Sequence, residues 1–377
     1  MTKNKILIGL LAVLTMMALL LIGCATTTAP TVSYTPNPFT TQTTPTPTPM
    51  PTSVPTPMPI SVPTPTPTTS LTTSPPPAIK FEGKYIDVHT HIMTSKMPLN
   101  QIIQNMDSQG IDKIIIMETP TVIYNGLPQG DYGIPDAAEK YPDRFIALYA
   151  GDAITMLDQF ASKTYTKTDE DKYIALLENA MKTEKYAGFG EVALRHGPAP
   201  SQSSDAEVFA DITVPGDHPW MLILSDIAAK YDVPIDIHME ATDETIPGLE
   251  KLLDHNTNTK IIWSHAGWEQ IMNGKATPGL LRQLMEKHPN LYSSITIRDG
   301  STQAVSFLDK QGLITSEWMA LLKDYPDRFM MGSDIKPGLR QNEFAYVAAE
   351  SAILKQLPPD ILEKIARENA IELFKIK

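Results

Sequence analysis

Short apolar runs alternate with helix-like segments from residue 85 to the C-terminus. Apolar runs of roughly four to eight residues are typical of buried strands. The segments between them repeat apolar residues at helical spacing, and several have a proline near the start or a glycine near the end. Eight strands are predicted in this way, at residues 85–91, 113–117, 144–149, 187–192, 233–238, 260–265, 290–296 and 328–334.

Helices are predicted between these strands, at residues 98–109, 136–140, 172–186, 217–231, 246–254, 278–287 and 316–323, with two more at the end of the chain. Regular alternation of strand and helix predicts a parallel sheet. Eight such units within residues 80–377 fit an α/β fold, the closed (β/α)8 TIM barrel. A doubly wound open sheet is the alternative, but no glycine-rich phosphate loop follows any predicted strand.

One connection is predicted to be a long loop, from Arg195 to Asp217, because it has three prolines and little periodicity. A loop of this length in a compact domain is often a lid or a specificity element.

The first 23 residues have the pattern of a secretory signal, with two lysines before an apolar run. This run ends in Leu21-Ile22-Gly23-Cys24, which resembles a bacterial lipobox, where the signal is cut and the cysteine is lipidated. An uncleaved transmembrane anchor is the alternative, since the run is about long enough to span a bilayer. Either interpretation leaves the remainder on the outer face of the cell membrane. Cys24 is the one cysteine, so an intrachain disulfide and a cysteine zinc site are excluded.

Residues 24–79 are predicted to be a disordered tether that follows the lipidated cysteine. From residue 25 to 79 the chain has no charged residue and is rich in threonine, proline and serine. Such a composition cannot form a packed core and favours an extended, polyproline-like spacer. The tether would hold a single barrel domain, residues 80–377, away from the membrane.

The charge balance is acidic, with 31 Lys+Arg against 43 Asp+Glu and a net charge of -12. Nucleic-acid binding usually requires a basic patch, so we expect no nucleic-acid partner.

Most of the candidate chemistry lies at predicted strand ends. His89 and His91 are one residue apart, so in a strand both side chains point to the same face. Two neighbouring imidazoles can chelate a divalent ion such as zinc. In a barrel the C-terminal strand ends meet at one rim, where active sites lie. The other candidate ligands at predicted strand ends are Glu191, His238, His265 and Asp334.

The remaining four histidines are predicted in loops or at helix ends: His196, His218, His255 and His288. Because His196 and His218 only flank the long loop, we expect these two to be structural.

Several stretches together resemble the amidohydrolase superfamily of metal-dependent barrels. They are residues 87–91 (Asp-Val-His-Thr-His), 237–238 (Ile-His), 263–267 (Trp-Ser-His-Ala-Gly) and 332–334 (Gly-Ser-Asp). The closing stretch 368–374 (Glu-Asn-Ala-Ile-Glu-Leu-Phe) is similar to the end of the amidohydrolase-related branch. The resemblance spans residues 85–374. Members of this branch include hydrolases of C–N, C–O and lactone bonds and nonoxidative decarboxylases.

The resemblance implies roles for the strand-end side chains. His89, His91 and His238 would hold a metal ion. Asp334 would be a further ligand and the general base that takes a proton from water, whose pKa a divalent ion lowers toward neutrality. His265 would ligate a second ion, or would hydrogen-bond the water and the substrate oxygen. Zinc is the favoured ion, as one or two ions per chain, although manganese and iron suit the same ligands.

Glu191 bears on the number of ions. It lies in the stretch 188–194, which is similar to the segment of TatD-type deoxyribonucleases where a glutamate occupies the bridging position of a two-metal site. The alternatives are an ion pair with Arg195 and a supporting acid beside the ligands. Two ions would follow from a bridging Glu191, and a single zinc would suffice without it. A deoxyribonuclease activity is disfavoured by the acidic net charge.

Substrate contacts are predicted at the same rim, and the substrate is expected to be a small molecule. Arg195 and Arg298 follow the fourth and seventh predicted strands, where each could bind a carboxylate or phosphate, or could be a solvated surface charge. Trp268 would line the rim or pack beneath its loop.

The leading hypothesis is a cell-surface metal-dependent hydrolase that acts on an amide, ester, lactone or phosphoester. A metal-dependent nonoxidative decarboxylase is the second hypothesis, against which a glutamate bridging two ions would argue, because decarboxylation needs one ion. A noncatalytic surface lipoprotein that binds a metal or a ligand is the third. The presence of Asp334 beside four strand-end histidines argues against this third hypothesis, because a binder does not need a base.

Overall fold

The computed structural model of the chain describes residues 83–119, 122–124, 127–128, 133–150, 153–154, 156–157, 163–197, 207–209, 212–266, 275–297, 307–338 and 342–377. The predicted signal peptide (1–23) and tether (24–79) lie outside these ranges, as do three predicted functional residues, Cys24, Trp268 and Arg298. None of the helices within the ranges is both long enough and apolar enough to cross a membrane.

The described strands are β1 Tyr85–Thr90, β2 Ile111–Ile116, β3 Val122–Tyr124, β4 Leu127–Pro128, β5 Phe145–Tyr149, β6 Tyr186–His196, β7 Glu207–Phe209, β8 Ile212–Thr213, β9 Ile235–Met239, β10 Ile261–Trp263, β11 Leu291–Ile295 and β12 Phe329–Met331. The described helices are α1 Leu99–Ser108, α2 Ile134–Lys140, α3 Lys167–Lys182, α4 Pro219–Tyr231, α5 Ile246–His255, α6 Pro278–Lys287, α7 Ser316–Asp324, α8 Phe344–Leu354, α9 Pro359–Glu363 and α10 Asn369–Phe374. A π-helical turn, Lys364–Glu368, joins the last two helices.

Eight of these strands form a parallel, nearly closed barrel in the order β1-β2-β5-β6-β9-β10-β11-β12. Residues just beyond β12 return to β1, where Thr90 forms a parallel bridge with Ile335. The backbone N–H of His91 donates to the carbonyl of Ile335, and that of Asp334 donates to the carbonyl of His89, both at 2.9 Å. With helices between successive strands, the architecture fits the (β/α)8 barrel that the sequence pattern predicts.

The apolar core lies between the barrel and its helices, where one face of each element is buried. The largest fully buried side chains include Trp220 of α4 and Trp318 of α7. Tyr173 of α3 stacks on Trp220 with ring centroids 4.7 Å apart and also donates its hydroxyl to the Trp220 carbonyl. Such aromatic contacts fix neighbouring helices against each other and against the strands.

The long loop predicted from Arg195 to Asp217 contains strands, so this prediction is wrong in part. Strand β6 continues to His196, which pairs with Ile212 of β8, while β7 joins β3 and β4 in a small antiparallel sheet. These added strands are two or three residues long, too short to produce a visible period in the sequence. His196 therefore ends a barrel strand instead of lying in a loop.

Two barrel strands end earlier than the sequence predicts, β10 at Trp263 and β12 at Met331. The histidine and the aspartate expected to end these strands lie just beyond them, with positive φ values of 70° for His265 and 51° for Asp334. Positive φ is uncommon for residues other than glycine and is concentrated at functional sites. Both side chains are thus presented by a backbone turn at the rim.

Helix α3 also begins earlier than expected, at Lys167 instead of Lys172. A capping box explains the earlier start, because the Thr166 side chain accepts the N–H of Asp169 and the Asp169 carboxylate accepts the N–H of Thr166.

Candidate metal centre

Six predicted ligands meet at the C-terminal rim of the barrel. All six are buried, and Asp334 is the most exposed of them at 8 %. Gly332 allows the chain to pack closely beneath these ligands. A Cβ at this position would lie 2.7 Å from Cβ of Ser294 and 3.2 Å from Cβ of His89. The six residues are His89, His91, Glu191, His238, His265 and Asp334.

Glu191 lies between two pairs of histidines. Its Oε2 atom is 3.6 Å from Nε2 of His89 and 3.4 Å from Nε2 of His91. Its Oε1 atom is 3.0 Å from Nδ1 of His238 and 3.3 Å from Nε2 of His265. Each pair forms with Glu191 a group of three side chains whose potential ligand atoms lie within 4.8 Å of one another. A single carboxylate thus belongs to both groups.

The two histidines of the first pair have their ring protons directed away from this cluster. Nδ1 of His91 lies 3.0 Å from the Met117 carbonyl, which can only accept, so Nδ1 carries the proton. Nδ1 of His89 lies 3.0 Å from Ser264 Oγ and 3.3 Å from Asp236 Oδ1. Since Ser264 donates its hydroxyl to Asp236, it accepts from His89, and Nδ1 is again the donor.

The consequence is that, when both rings are neutral, two lone pairs face each other. Nε2 of His89 and Nε2 of His91 are 3.2 Å apart, and each becomes an acceptor once its Nδ1 is protonated. Two acceptors at this distance repel unless a cation lies near both. This arrangement fits a metal ion held by His89, His91 and Glu191.

A similar chain of donors orients His265. Thr296 donates its hydroxyl to the Gly332 carbonyl at 2.5 Å, so its oxygen accepts from Nδ1 of His265 at 3.2 Å. Nε2 of His265 then presents a lone pair to Oε1 of Glu191. Nε2 of His238 is buried and has no hydrogen-bond partner among the described residues, and its Nδ1 faces Glu191. The second group therefore brings the lone pair of His265 and the carboxylate of Glu191 together, with the His238 ring beside them.

Two carboxylates dominate the electrostatics of the cluster. Burial opposes protonation of His89, but the carboxylates of Asp236 and Glu191 outweigh it and raise its pKa well above the ordinary value. Burial lowers the pKa of His91, and it lowers that of His265 to about 4. Burial alone would raise the pKa of Glu191, yet the charge of His89 and the histidine hydrogen bonds hold it well below its usual range.

Imidazole nitrogens with carboxylate oxygens suit divalent zinc, manganese and iron, so the donor set fits a divalent ion without selecting one of them.

Asp334 lies outside both three-residue groups but beside the first of them. Its Oδ1 atom is 3.3 Å from Nε2 of His91 and 3.7 Å from the ammonium nitrogen of Lys336. This carboxylate therefore lies at the edge of the cluster and is the least buried of the six.

Arg195, predicted to bind substrate, lies outside both groups. Its Nη1 donates to the carbonyls of His196 and Ile212, and its Nε is 3.9 Å from a carboxylate oxygen of Glu240. These contacts place its guanidinium along the β6–β8 pair. The His196 ring stacks on that of His238 with centroids 4.7 Å apart, so His196 supports a candidate ligand.

The other three histidines have local partners away from the cluster. His218 caps α4 by accepting the N–H of Trp220 at 3.2 Å, and His255 lies 3.1 Å from Asp226. His288 is buried beside Asp254, with 3.3 Å between Nδ1 and the carboxylate.

Sequence reasoning missed the residues that surround the ligands. Asp236 precedes His238 by two positions, and Lys336 follows Asp334 by two, so the alternation of strand side chains could have identified both as neighbours of the site. Ser264 and Thr296 stand at predicted strand ends but are too common there to be informative without the fold.

The family model described as Amidohydrolase matches residues 86–376, which contain all six rim residues. The chain belongs to the amidohydrolase family. It is therefore an enzyme of a metal-dependent hydrolase family, and its barrel rim carries residues suited to such chemistry. None of the curated proteins matches the amidohydrolase in sequence.

Several solved structures are similar to this amidohydrolase at low sequence identity. A dihydroxybenzoic acid decarboxylase from Polaromonas sp. JS666, with bound manganese and an inhibitor, is 14 % identical with a TM-score of 0.48 over 78 % of this chain and 97 % of that one. Dihydroorotase from Campylobacter jejuni is 16 % identical with a TM-score of 0.46 over 78 % and 84 %. A TatD homologue from Escherichia coli is 14 % identical with a TM-score of 0.47 over 77 % and 98 %. These likenesses show a shared fold.

Proposed function

We propose that the protein is a hydrolase with a two-ion centre that acts on an amide, ester, lactone or phosphoester of a small molecule. The observation that carries this proposal is the position of Glu191, whose two oxygens face different pairs of histidines. A carboxylate in that position can bridge two ions, the role that the TatD-like glutamate in the sequence implies. Zinc is the ion we expect in both sites.

Each group of side chains would hold one ion. His89, His91 and Glu191 make up the first group, with Asp334 beside it, and His238 and His265 share Glu191 in the second. A pair of divalent ions lowers the pKa of water toward neutrality and polarises the bond to be cleaved.

Asp334 is the proposed general base. Its carboxylate lies beside Nε2 of His91 and is the least buried of the six, so it would be the one to take a proton from the attacking water. After accepting the proton of that water, the Asp334 carboxyl can return it to the leaving group.

The competing functions differ in what they require of the site. A nonoxidative decarboxylase needs one ion, and a carboxylate shared between two histidine pairs is not required for that reaction. A noncatalytic binder needs no base, so Asp334 beside the ligands favours an enzyme. Glu191 therefore favours hydrolysis over decarboxylation.

The proposed location of the enzyme is the outer face of the cell membrane. Support comes from the sequence alone, where a signal-like segment ends at Cys24 and an uncharged, proline-rich stretch precedes the barrel. A lipid on Cys24 would anchor the chain, and the stretch would set its distance from the membrane.

Metal analysis of the purified protein tests the bridging role. We expect about two ions per chain, and about one in Glu191→Gln, because an amide cannot bridge two cations as a carboxylate does. Glu139→Gln is the matched control, since Glu139 is an exposed partner of Lys185 at 2.9 Å and should leave the count unchanged. An unaltered count in Glu191→Gln would remove the bridge from the proposal.

An activity screen tests the reaction itself. The metal-free protein is assayed on esters, lactones, amides, phosphoesters and aromatic carboxylic acids, before and after addition of zinc or manganese. Metal-dependent hydrolysis of one class supports the proposal, whereas release of carbon dioxide from the acids alone would select the decarboxylase.

A further inference from the structure

Asp87 is a fully buried carboxylate beside the rim that the proposed reaction does not use. It lies in β1, two positions before His89. Its Oδ1 atom accepts the backbone N–H of His89 at 3.2 Å and that of Ser333 at 2.9 Å. Its Oδ2 atom accepts the hydroxyl of Ser333. A single carboxylate therefore joins the first barrel strand to the turn that follows the last one.

This turn, residues 332–334, lies between two backbone pairings. The N–H of Gly332 donates to a carbonyl of β11 at 2.9 Å, whereas the N–H of Asp334 donates to the carbonyl of His89 at 2.9 Å. The chain thus passes from one neighbouring strand to the other within three residues. The N–H between them, that of Ser333, donates to Asp87. Because a buried backbone N–H requires an acceptor, the carboxylate takes the place of a strand partner here.

The position of the turn determines where the Asp334 carboxylate lies. Asp334 has a φ of 51°, in the left-handed region that residues with a side chain disfavour, so surrounding contacts must hold it there. Its Oδ1 atom lies 3.3 Å from Nε2 of His91. Asp87 contacts the backbone next to both partners, at His89 and at Ser333. The distance between the proposed base and the first histidine pair is therefore set in part by Asp87.

We propose that Asp87 is a positioning residue for the base Asp334. It acts through the hydrogen bonds that fix the turn against β1, and it takes no part in the proton transfer itself. The inference rests on the proposed function, because it requires Asp334 to act as the base. The competing role is a contribution of negative charge alone, which Asp87→Asn separates because it removes the charge and keeps an acceptor oxygen.

Hydrogen exchange followed by mass spectrometry tests the hold on the turn without a substrate. In the purified full-length protein, Asp87→Ala should raise the exchange rate of the Ser333 and Asp334 amides at least about tenfold, because hydrogen bonds to a charged acceptor are lost. Asp169→Ala is the matched control, since Asp169 accepts both the N–H and the hydroxyl of Thr166, at 2.9 and 2.7 Å, at the exposed start of α3. Unchanged exchange in Asp87→Ala would overturn the proposal.

The kinetic result expected of a positioning residue is a lower kcat at constant KM. On the best substrate of the screen, Asp87→Ala should lower kcat about 100-fold, change KM less than about twofold and retain the zinc content of the wild type. Asp87→Asn should lose less than about tenfold, because its oxygen can still accept both N–H groups. Equal losses in the two variants would assign the effect to charge, and a parallel loss of zinc would assign it to the ligands; either result contradicts the proposal.

Ser333→Ala keeps the test decisive if Asp87→Ala does not fold. It removes only the hydroxyl that Asp87 accepts and keeps the N–H contact. We expect kcat to fall about tenfold at constant KM, as for the loss of one hydrogen bond to a charged group. An unchanged kcat in Ser333→Ala and in Asp87→Asn together would overturn the proposal.

A double variant tests whether Asp87 acts through Asp334. Once Asp334 is replaced by asparagine, the further change Asp87→Ala should lower the residual turnover less than about twofold, because no base remains to be misplaced. A further fall of about 100-fold would show that Asp87 acts independently of Asp334, which contradicts the proposal.

The exchange and kinetic measurements separate this inference from the proposed function. If the protein cleaves no ester, lactone, amide or phosphoester but the exchange of the turn depends on Asp87, the proposed function fails and the hold of Asp87 on the turn stands. If the wild type is a hydrolase and Asp87→Ala leaves its kcat unchanged, the positioning role fails and the hydrolase stands.

Discussion

Nδ1 of His89 lies 3.3 Å from Oδ1 of Asp236, and neither side chain is exposed to solvent. Ser264 donates its hydroxyl to the same carboxylate, so Asp236 is held in place while it orients the histidine. This contact sets the tautomer of His89 and directs its Nε2 lone pair towards His91. A carboxylate behind a histidine also raises the basicity of the ring and strengthens its bond to a metal ion.

The variant Asp236→Asn should weaken metal binding to the first group. An amide carries no charge and can rotate its NH2 towards His89, so the ring loses its fixed tautomer. We expect zinc affinity to fall about 10- to 100-fold in a competition titration with a chromophoric chelator. Asp254→Asn is the control, because Asp254 lies at the same 3.3 Å distance from His288 but far from the rim ligands, and is largely exposed. Equal zinc affinity in the two variants would contradict this account.

Asp334→Asn should abolish turnover and leave the fold intact. An amide cannot accept the proton of the attacking water, so we expect kcat to fall by about 10²- to 10⁴-fold on the best substrate of the screen. Thermal unfolding, followed by circular dichroism, should be nearly unchanged. Asp324→Asn, which alters an exposed partner of Arg282, should keep full activity. Turnover near the wild-type rate in Asp334→Asn would exclude this residue as the base.

Tyr85 should make the fold sensitive to alkaline pH. Burial raises its pKa from 10.0 to about 12, although its hydroxyl donates to the Ser351 carbonyl at 3.3 Å. The unfolded chain therefore loses this proton near pH 10 while the folded chain keeps it, so stability is full below pH 10 and falls as pH rises towards 12. The loss from this group approaches about 3 kcal/mol above pH 12, since one pKa unit corresponds to about 1.4 kcal/mol.

The variant Tyr85→Phe isolates this contribution. Its free energy of unfolding in urea should fall less steeply than that of the wild type between pH 9.5 and 11.5, by about 2 kcal/mol. Tyr346→Phe serves as the comparison, because Tyr346 is half-buried whereas Tyr85 is buried. Parallel pH profiles for wild type and Tyr85→Phe would show that the Tyr85 hydroxyl is not the group responsible.

Cys24→Ser should release the protein from membranes, because a hydroxyl cannot carry the thioether-linked lipid of a lipoprotein. The measurement is the fraction of protein that sediments with membranes after cell disruption, with Thr27→Ser as the control. Full retention of Cys24→Ser in the membrane fraction would favour the alternative, in which the apolar run of residues 6–23 is itself the anchor.

The sequence predicted the barrel because strand and helix patterns are local, and each of the eight apolar runs corresponds to a barrel strand. It predicted less well where tertiary contacts decide the structure. Strand β6 is extended to His196 by pairing with β8, a partner too short to be visible in the sequence. The early ends of β10 and β12 depend on positive φ values that neither His265 nor Asp334 signals.

The strand-end pattern identified Glu191 and five residues that the fold gathers at the same rim, since parallel strands direct their C-terminal ends to one side of the barrel. The residues that orient them were not found, because a serine or threonine near a strand end has many possible roles. Asp236 and Lys336 could have been identified from the sequence, because each is two positions from a predicted ligand.

The rim is completed by the two ends of the barrel, since the backbone N–H of Asp334 donates to the carbonyl of His89. A chain that is still being synthesised or threaded through a secretion channel has β1 but lacks β12. His89 and His91 are therefore in place before Asp334 can join them. For a protein exported as proposed, the site forms only after translocation is finished. The ions then come from the medium outside the cell, and the metal found in the enzyme reflects supply in that environment instead of the cytoplasmic pool.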